Sequence, residues 1–183
     1  MRALAGSFLV AGLLAVTITS TASDAAAQDG AGLATYRNER HGFSLTYPAT
    51  QFLSLPAATE DGRQFVSKDG NARLLVGTLS NFDNKSLRDY RGFVLNESYP
   101  GAQVDYAPVR DTWFVVSGIR NGTAFYQRVN FTCGGRTINS WAILFPAAEK
   151  AVYEPIIEQV HRTYRLGNGN CHQRLTSADR RTP

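Results

Sequence analysis

The chain has 183 residues, 43% of them hydrophobic and 19% charged, and a formal net charge of +4 at pH 7. That length makes one domain with room for a real core. The basic surplus is modest and partly terminal, and the folded region holds no dense Lys/Arg cluster, which argues against nucleic acid or an anionic membrane as a partner.

At the N-terminus, Arg2 precedes the uncharged, largely apolar run ALAGSFLVAGLLAVTITSTAS, which ends in DAAAQ. A basic start, a short apolar centre and an A-x-A site predict a secretory signal peptide over residues 1–27, cut between Ala27 and Gln28. Gly, Ser and Thr dilute the run below the ~20 strongly apolar residues of a membrane anchor. No Cys near the cut would carry a lipid. Removing one Arg (Arg2) and one Asp (Asp24) leaves 18 basic and 14 acidic residues, so the balance stays at +4. Residues 28–35 read as a linker and 36–171 as the domain. The stretch HQRLTSADRRTP, 172–183, reads as a disordered basic tail.

The first predicted strand is GFSLTYP, where Phe43, Leu45 and Tyr47 alternate with Ser44 and Thr46 until Pro48 stops it. A loop containing Pro56 follows, then two strands carrying Phe65 and the pair Leu74 and Val76. Asp61-Gly62 enters the first of them, and Asp69-Gly70 supplies the tight turn between them. In NKSLRDYRGFVLN, Ser86 and Asp89 resemble a capping box, and Leu87, Tyr90 and Val94 share one helical face. Val104, Tyr106 and Val109 suggest another strand, placed at an edge or bulge by Pro108.

Trp113 to Pro146 reads as three strands in a meander, turned at Asn121-Gly122 and at Gly134-Gly135. Ala147 to Arg165 reads as a helix with Val152, Ile156, Val160 and Tyr164 four apart. Pro155 would be tolerated only in its first turn, so a start near Tyr153 is expected. The order β-β-β-α-β-β-β-β-α predicts an α+β fold, an antiparallel sheet of about six or seven strands flanked by helices.

Cys133 and Cys171 are the only cysteines, and in an exported chain an even pair predicts a disulfide. A two-Cys metal site would need His or carboxylate partners at ligand spacing, which the sequence does not offer.

Four pieces in this order, GFSLTYP, DGRQFVSKDG with LLVG, WFVVSGIRNGTAFYQR and LFPAAEKAVYEPIIEQVHRTY, resemble PsbP-like domains over about Tyr36 to Tyr164. The resemblance implies an α/β/α sandwich. That superfamily includes photosystem accessory proteins, a nuclear Ran-binding relative and bacterial periplasmic domains. It implies an assembly or binding role, and it carries no set of catalytic residues to this chain.

The residues themselves offer little chemistry. Ser117 precedes Gly118 but lacks a G-x-S-x-G elbow, and His41, His161 and His172 are far apart in sequence. A triad can still assemble in space, so a small periplasmic hydrolase using Ser117 or a carboxylate in a sheet-edge cleft is the alternative reading. Glu60, Asp61 and Asp69 miss calcium-loop spacing, because Arg63 and Phe65 fall where oxygen ligands belong. Gly62 and Gly70 do not form a phosphate loop. The sequons at Asn84, Asn96, Asn121 and Asn130 read as chance in a chain with a bacterial leader. The aromatics Trp113, Phe114, Phe125, Tyr126, Phe131 and Trp141 fit core packing. Phe125 and Tyr126 are neighbours on a strand and must face opposite sides, so one of them, with Trp113, is a candidate partner contact. The expectation is an exported, non-enzymatic binding or accessory module, periplasmic or secreted and monomeric. It would need no cofactor or metal, insert in no membrane once the leader is removed, and have a periplasmic protein as its candidate partner.

Overall fold

The computed structural model describes residues 27–29, 32–167 and 171. The expected leader up to residue 26 and the basic tail from 172 lie outside the described residues. Ten strands and two α-helices run in chain order. The strands are β1 (Ala27–Asp29), β2 (Leu33–Arg37), β3 (Ser44–Pro48), β4 (Phe52–Ser54), β5 (Gly62–Ser67) and β6 (Arg73–Ser80). After helix α1 (Leu87–Glu97) come β7 (Gln103–Tyr106), β8 (Trp113–Arg120), β9 (Thr123–Thr132), β10 (Thr137–Pro146) and helix α2 (Lys150–Thr163).

Two antiparallel sheets result. The main sheet has seven strands in the order β4-β5-β6-β10-β9-β8-β7, and a small sheet holds β1-β2-β3. The fold is α+β, and the meander β8-β9-β10 lies where the alternating residues predict it. Asn121 and Gly122 both take positive φ, 49° and 77°, the backbone of a two-residue hairpin whose twist matches its strands. Gly70, at φ 79°, turns β5 into β6, and the Asp69 carboxylate accepts from Ser67 Oγ and from the Asn71 amide.

The two faces of the main sheet bury separate cores. One holds Phe65, Leu74, Trp141, Ile143 and Phe145 against Tyr153, Ile156 and Val160 of α2 and Phe43 and Leu45 of the small-sheet region. The other holds Phe114, Val116, Phe125, Val129 and Ile138 against Val94 of α1 and Tyr99. Each fully buried side chain of this size contributes roughly 1.5–3 kcal/mol by leaving water. The layers are therefore helix, sheet, helix, with α1 carrying the chain from β6 to the far edge at β7.

Several expectations need correction. The strand GFSLTYP joins the small sheet and packs under α2, outside the main sheet. β2 occupies Leu33–Arg37, partly within the stretch read as linker, and β4 forms where a loop was expected. Val109 makes only an isolated bridge to Phe114, because Pro108 breaks the ladder after β7. Helix α2 begins at Lys150, so Pro155 lies inside it. Without an N–H it leaves the Ala151 carbonyl no intrahelical donor. That cost is borne because Tyr153, stacked 4.7 Å from Phe145, anchors the early turns in the core. Val152, expected on the buried face, is 54% exposed, and Tyr153 takes its place.

Candidate functional site

Alternation along β8 and β9 decides what faces α2. Trp113, Ser117 and Ile119 on β8 and Tyr126, Arg128 and Asn130 on β9 share that side, with Trp113 paired to Asn130 and Ser117 to Tyr126. Trp141 of β10 stands directly beside Arg128. Along the flank of α2 these strands leave a cleft of about 430 Å³, lined among others by Ser117, Ile119, Tyr126, Phe145, Lys150 and Ile157. Asp105, Glu154 and Glu158 give its rim an acidic character, and Glu154 Oε1 lies 3.6 Å from Lys150 Nζ.

Past Tyr126, one turn of α2 beyond Ile157, a polar and aromatic cluster continues this flank. The Arg128 guanidinium lies 4.7 Å from the centre of the Trp113 ring. Its Nε donates to Asn130 Oδ1 at 3.1 Å, and its Nη1 reaches His161 Nε2 at 3.1 Å and Nδ1 at 3.3 Å. The Tyr126 hydroxyl is 3.4 Å from His161 Nδ1, and its ring stacks on Trp141 at 5.1 Å. Burial, and then the neighbouring Arg128 charge, hold the His161 imidazole below its ordinary pKa. Burial raises the Tyr126 phenol, which the same guanidinium partly offsets.

The expected site residues separate accordingly. Trp113 and Tyr126 meet at this cluster, linked through Arg128 and His161. Phe125 does not join them. It is 3% exposed and stacked 3.9 Å from Tyr99 under α1, so it belongs to the opposite core and offers no surface to a partner. The rule of opposite faces was right, and the buried side is Phe125. Ser117 lines the cleft, and neither described histidine is bonded to it. Among the described residues, His41 bonds with Asp61 at 2.8 Å and His161 with Arg128, while His172 lies outside them.

Asp61 also pairs with Arg40 at 3.1 Å, and Asp69 closes its own turn, so the two acids of the opening hairpin serve separate ends of β5. No group of three or more His, Cys, Asp or Glu among the described residues is placed to hold a metal. Asn130 is 4% exposed, a closed position for a glycan. Cys133 and Cys171 form a disulfide with Cα atoms 5.1 Å apart, joining the β9–β10 turn to the chain after α2. Ala27 and Gln28 lie in β1, opposite Thr35 and Ala34. No helix among the described residues is long and apolar enough to cross a membrane.

No family model matches the chain, and no curated protein does. Among solved structures, the cyanobacterial PsbP (CyanoP) of Synechocystis sp. PCC 6803 is similar, with 12% identity, a TM-score of 0.57 and coverage of 79% of this chain and 98% of that one. The Ran-binding protein Mog1p of Saccharomyces cerevisiae is similar too, at 13% identity and TM-score 0.51, over 72% of this chain and 94% of its own. The fold is PsbP-like.

Of this cluster on the PsbP-like scaffold, the sequence singles out Trp113 and Tyr126 as candidate contacts and His161 only as a histidine, and it does not single out Arg128. Arg128 was legible in principle, since it sits two residues from Tyr126 and must share its face. His161 was not, because only the packing of α2 brings position 161 to position 128.

Proposed function

We propose that this chain is an exported, non-enzymatic binding or accessory module of the bacterial periplasm, taking a protein partner on the α2 flank of its PsbP-like sheet. The observation that carries the reading is the tethered aromatic cluster. Trp113 and Tyr126 are half-buried beside an apolar-floored cleft, and Arg128 and His161 fix their positions. Rigid aromatic groups next to a cleft bind at low entropic cost. The yeast relative is a Ran-binding protein, which supports a binding role for this type of scaffold. The signal-like N-terminus and the Cys133–Cys171 link support export. Ser117, with neither described histidine bonded to it, supports a non-enzymatic role.

Affinity capture from the native periplasm, with wild-type chain and a Trp113→Ala/Tyr126→Ala variant as paired baits, tests this. A partner held by the wild type and lost by the folded variant is the expected result. Ester or peptide hydrolysis that disappears in Ser117→Ala would overturn it in favour of a hydrolase.

A further inference from the structure

We propose that Arg128 is the anchor of a carboxylate-binding site on the α2 flank, one that takes a carboxylate carried next to an aromatic or apolar group. The inference rests on the reading of this flank as a binding surface and names the chemistry it selects.

Several other described arginines are already engaged by an acid or a backbone carbonyl. Arg40 pairs with Asp61, Arg91 donates to the Ala107 carbonyl, and Arg136 to the Cys171 carbonyl. Arg128 is half-buried, its guanidinium lies by the Trp113 ring and bonds His161, and it meets no carboxylate or backbone carbonyl among the described residues. Its orientation is set by Asn130, itself only 4% exposed, which accepts from Nε. Nη2 donates to no described group. With Nε held by Asn130 and Nη1 turned to His161, Nη2 is the nitrogen left to meet a carboxylate.

Close to Arg128 the surroundings hold several donors, while the carboxylates of the flank, Asp105, Glu154 and Glu158, sit on the rim of the neighbouring cleft. Trp141, beside Arg128 on β10 and fully buried, has an Nε1–H without a partner, and so does the hydroxyl of Tyr164, 9% exposed, which feels the Arg128 charge. Tyr126 adds a second hydroxyl, at His161. The Trp141 and Tyr164 atoms both lie below the surface, so they favour an anion at Arg128 through their dipoles and not by bonding it. The charge count selects among anions. Arg128 is the one formal cation of the cluster, because burial and the guanidinium keep His161 neutral near pH 7. A monoanionic carboxylate balances it, whereas a phosphate dianion would be left with surplus charge. The Trp113 and Tyr126 rings, and the cleft floored by Ile119 and Ile157, receive the apolar part of the ligand.

The test uses the disulfide-intact protein with four probes: benzoate, the peptide Gly-Gly-Phe, its C-terminal amide, and inorganic phosphate. Indole and imidazole signals are followed by NMR. Saturable shifts at Trp113, Trp141 and His161 are expected for benzoate and the free peptide acid, with half-saturation on the order of 1 mM or below. The His161 pKa should rise on binding, because the anion cancels the guanidinium field. The amide and phosphate should bind roughly tenfold or more weakly. Tighter binding of the peptide acid than of benzoate assigns a protein chain end as the source of the carboxylate, and the reverse order assigns a small molecule. Arg128→Gln should abolish the shifts, and Arg128→Lys, which keeps charge but loses the planar guanidinium, should restore part of them. If Arg128→Gln does not fold, the wild-type shift map still decides, since shifts located elsewhere refute the site. Phosphate preferred over carboxylate, equal binding of acid and amide, or an unaffected Arg128→Gln variant would each overturn it. A partner captured through Trp113 and Tyr126 but indifferent to Arg128→Gln would leave the binding module standing and remove only this inference.

Discussion

Replacing both cysteines, Cys133→Ala with Cys171→Ala, measures what the single cross-link contributes. The bridge spans a sequence separation of 38 residues. In the chain-entropy treatment, closing a loop of that size removes about 13 cal/mol/K from the unfolded chain, or about 3.9 kcal/mol at 25 °C. For a domain of this size that corresponds to a loss of roughly 8–16 °C in melting temperature. The native state should hardly change, because the chain entering the bridge is held independently: Arg165 and Ser44 exchange two backbone hydrogen bonds, at 2.8 and 3.0 Å. Urea unfolding of the oxidised protein, the reduced protein and the double variant should show a lower midpoint in the last two, and in the double variant an increased m-value as its unfolded chain expands. A stability loss below about 1 kcal/mol would refute the reasoning, because it would show that the loop is already restricted in the unfolded chain.

Phe125→Ala should cost about 3–5 kcal/mol, as for a large buried ring, whereas Trp113→Ala at the half-buried cluster should cost far less; chemical denaturation of the two variants compares them. Pro155→Ala should stabilise the domain by about 1–3 kcal/mol, since the site is exposed and the substitution restores an N–H donor to the Ala151 carbonyl, and a lower melting temperature would contradict this. The depressed His161 pKa makes the folded state bind fewer protons than the unfolded chain. Its contribution is therefore intact above the unfolded value near 6.5 and is lost as pH falls through the lower folded value. Arg128→Gln should weaken that loss, and denaturation at pH 7.5 and 5 reads it.

How much of this was legible follows from the range of the signals. Turns were read correctly because Asp69-Gly70 and Asn121-Gly122 dictate their own backbone. The Ser86 cap was too, and its Oγ accepts from the Asp89 amide at 3.2 Å. β4, three residues long, is too short for periodicity to register, and it exists because Phe52 is drawn into the core beside Tyr153. Tertiary burial likewise overrode the local rule at Pro155. The cluster was half legible, as alternation placed Trp113 and Tyr126 on a strand face but could not say that helix α2 would bring His161 onto Arg128.

The position of β10 has a consequence for how the chain acquires its structure. It lies between β6 and β9, with Trp141 opposite both Val76 and Arg128, yet it is the last strand in sequence. Until Thr137–Pro146 is available, the β4-β5-β6 ribbon and the β7-β8-β9 ribbon have no strand to join them, and each presents an open edge. Folding must therefore wait for the C-terminal third, and it proceeds through pairings of high contact order that are slow to form. Without Thr137–Pro146 the two ribbons would be unjoined half-sheets.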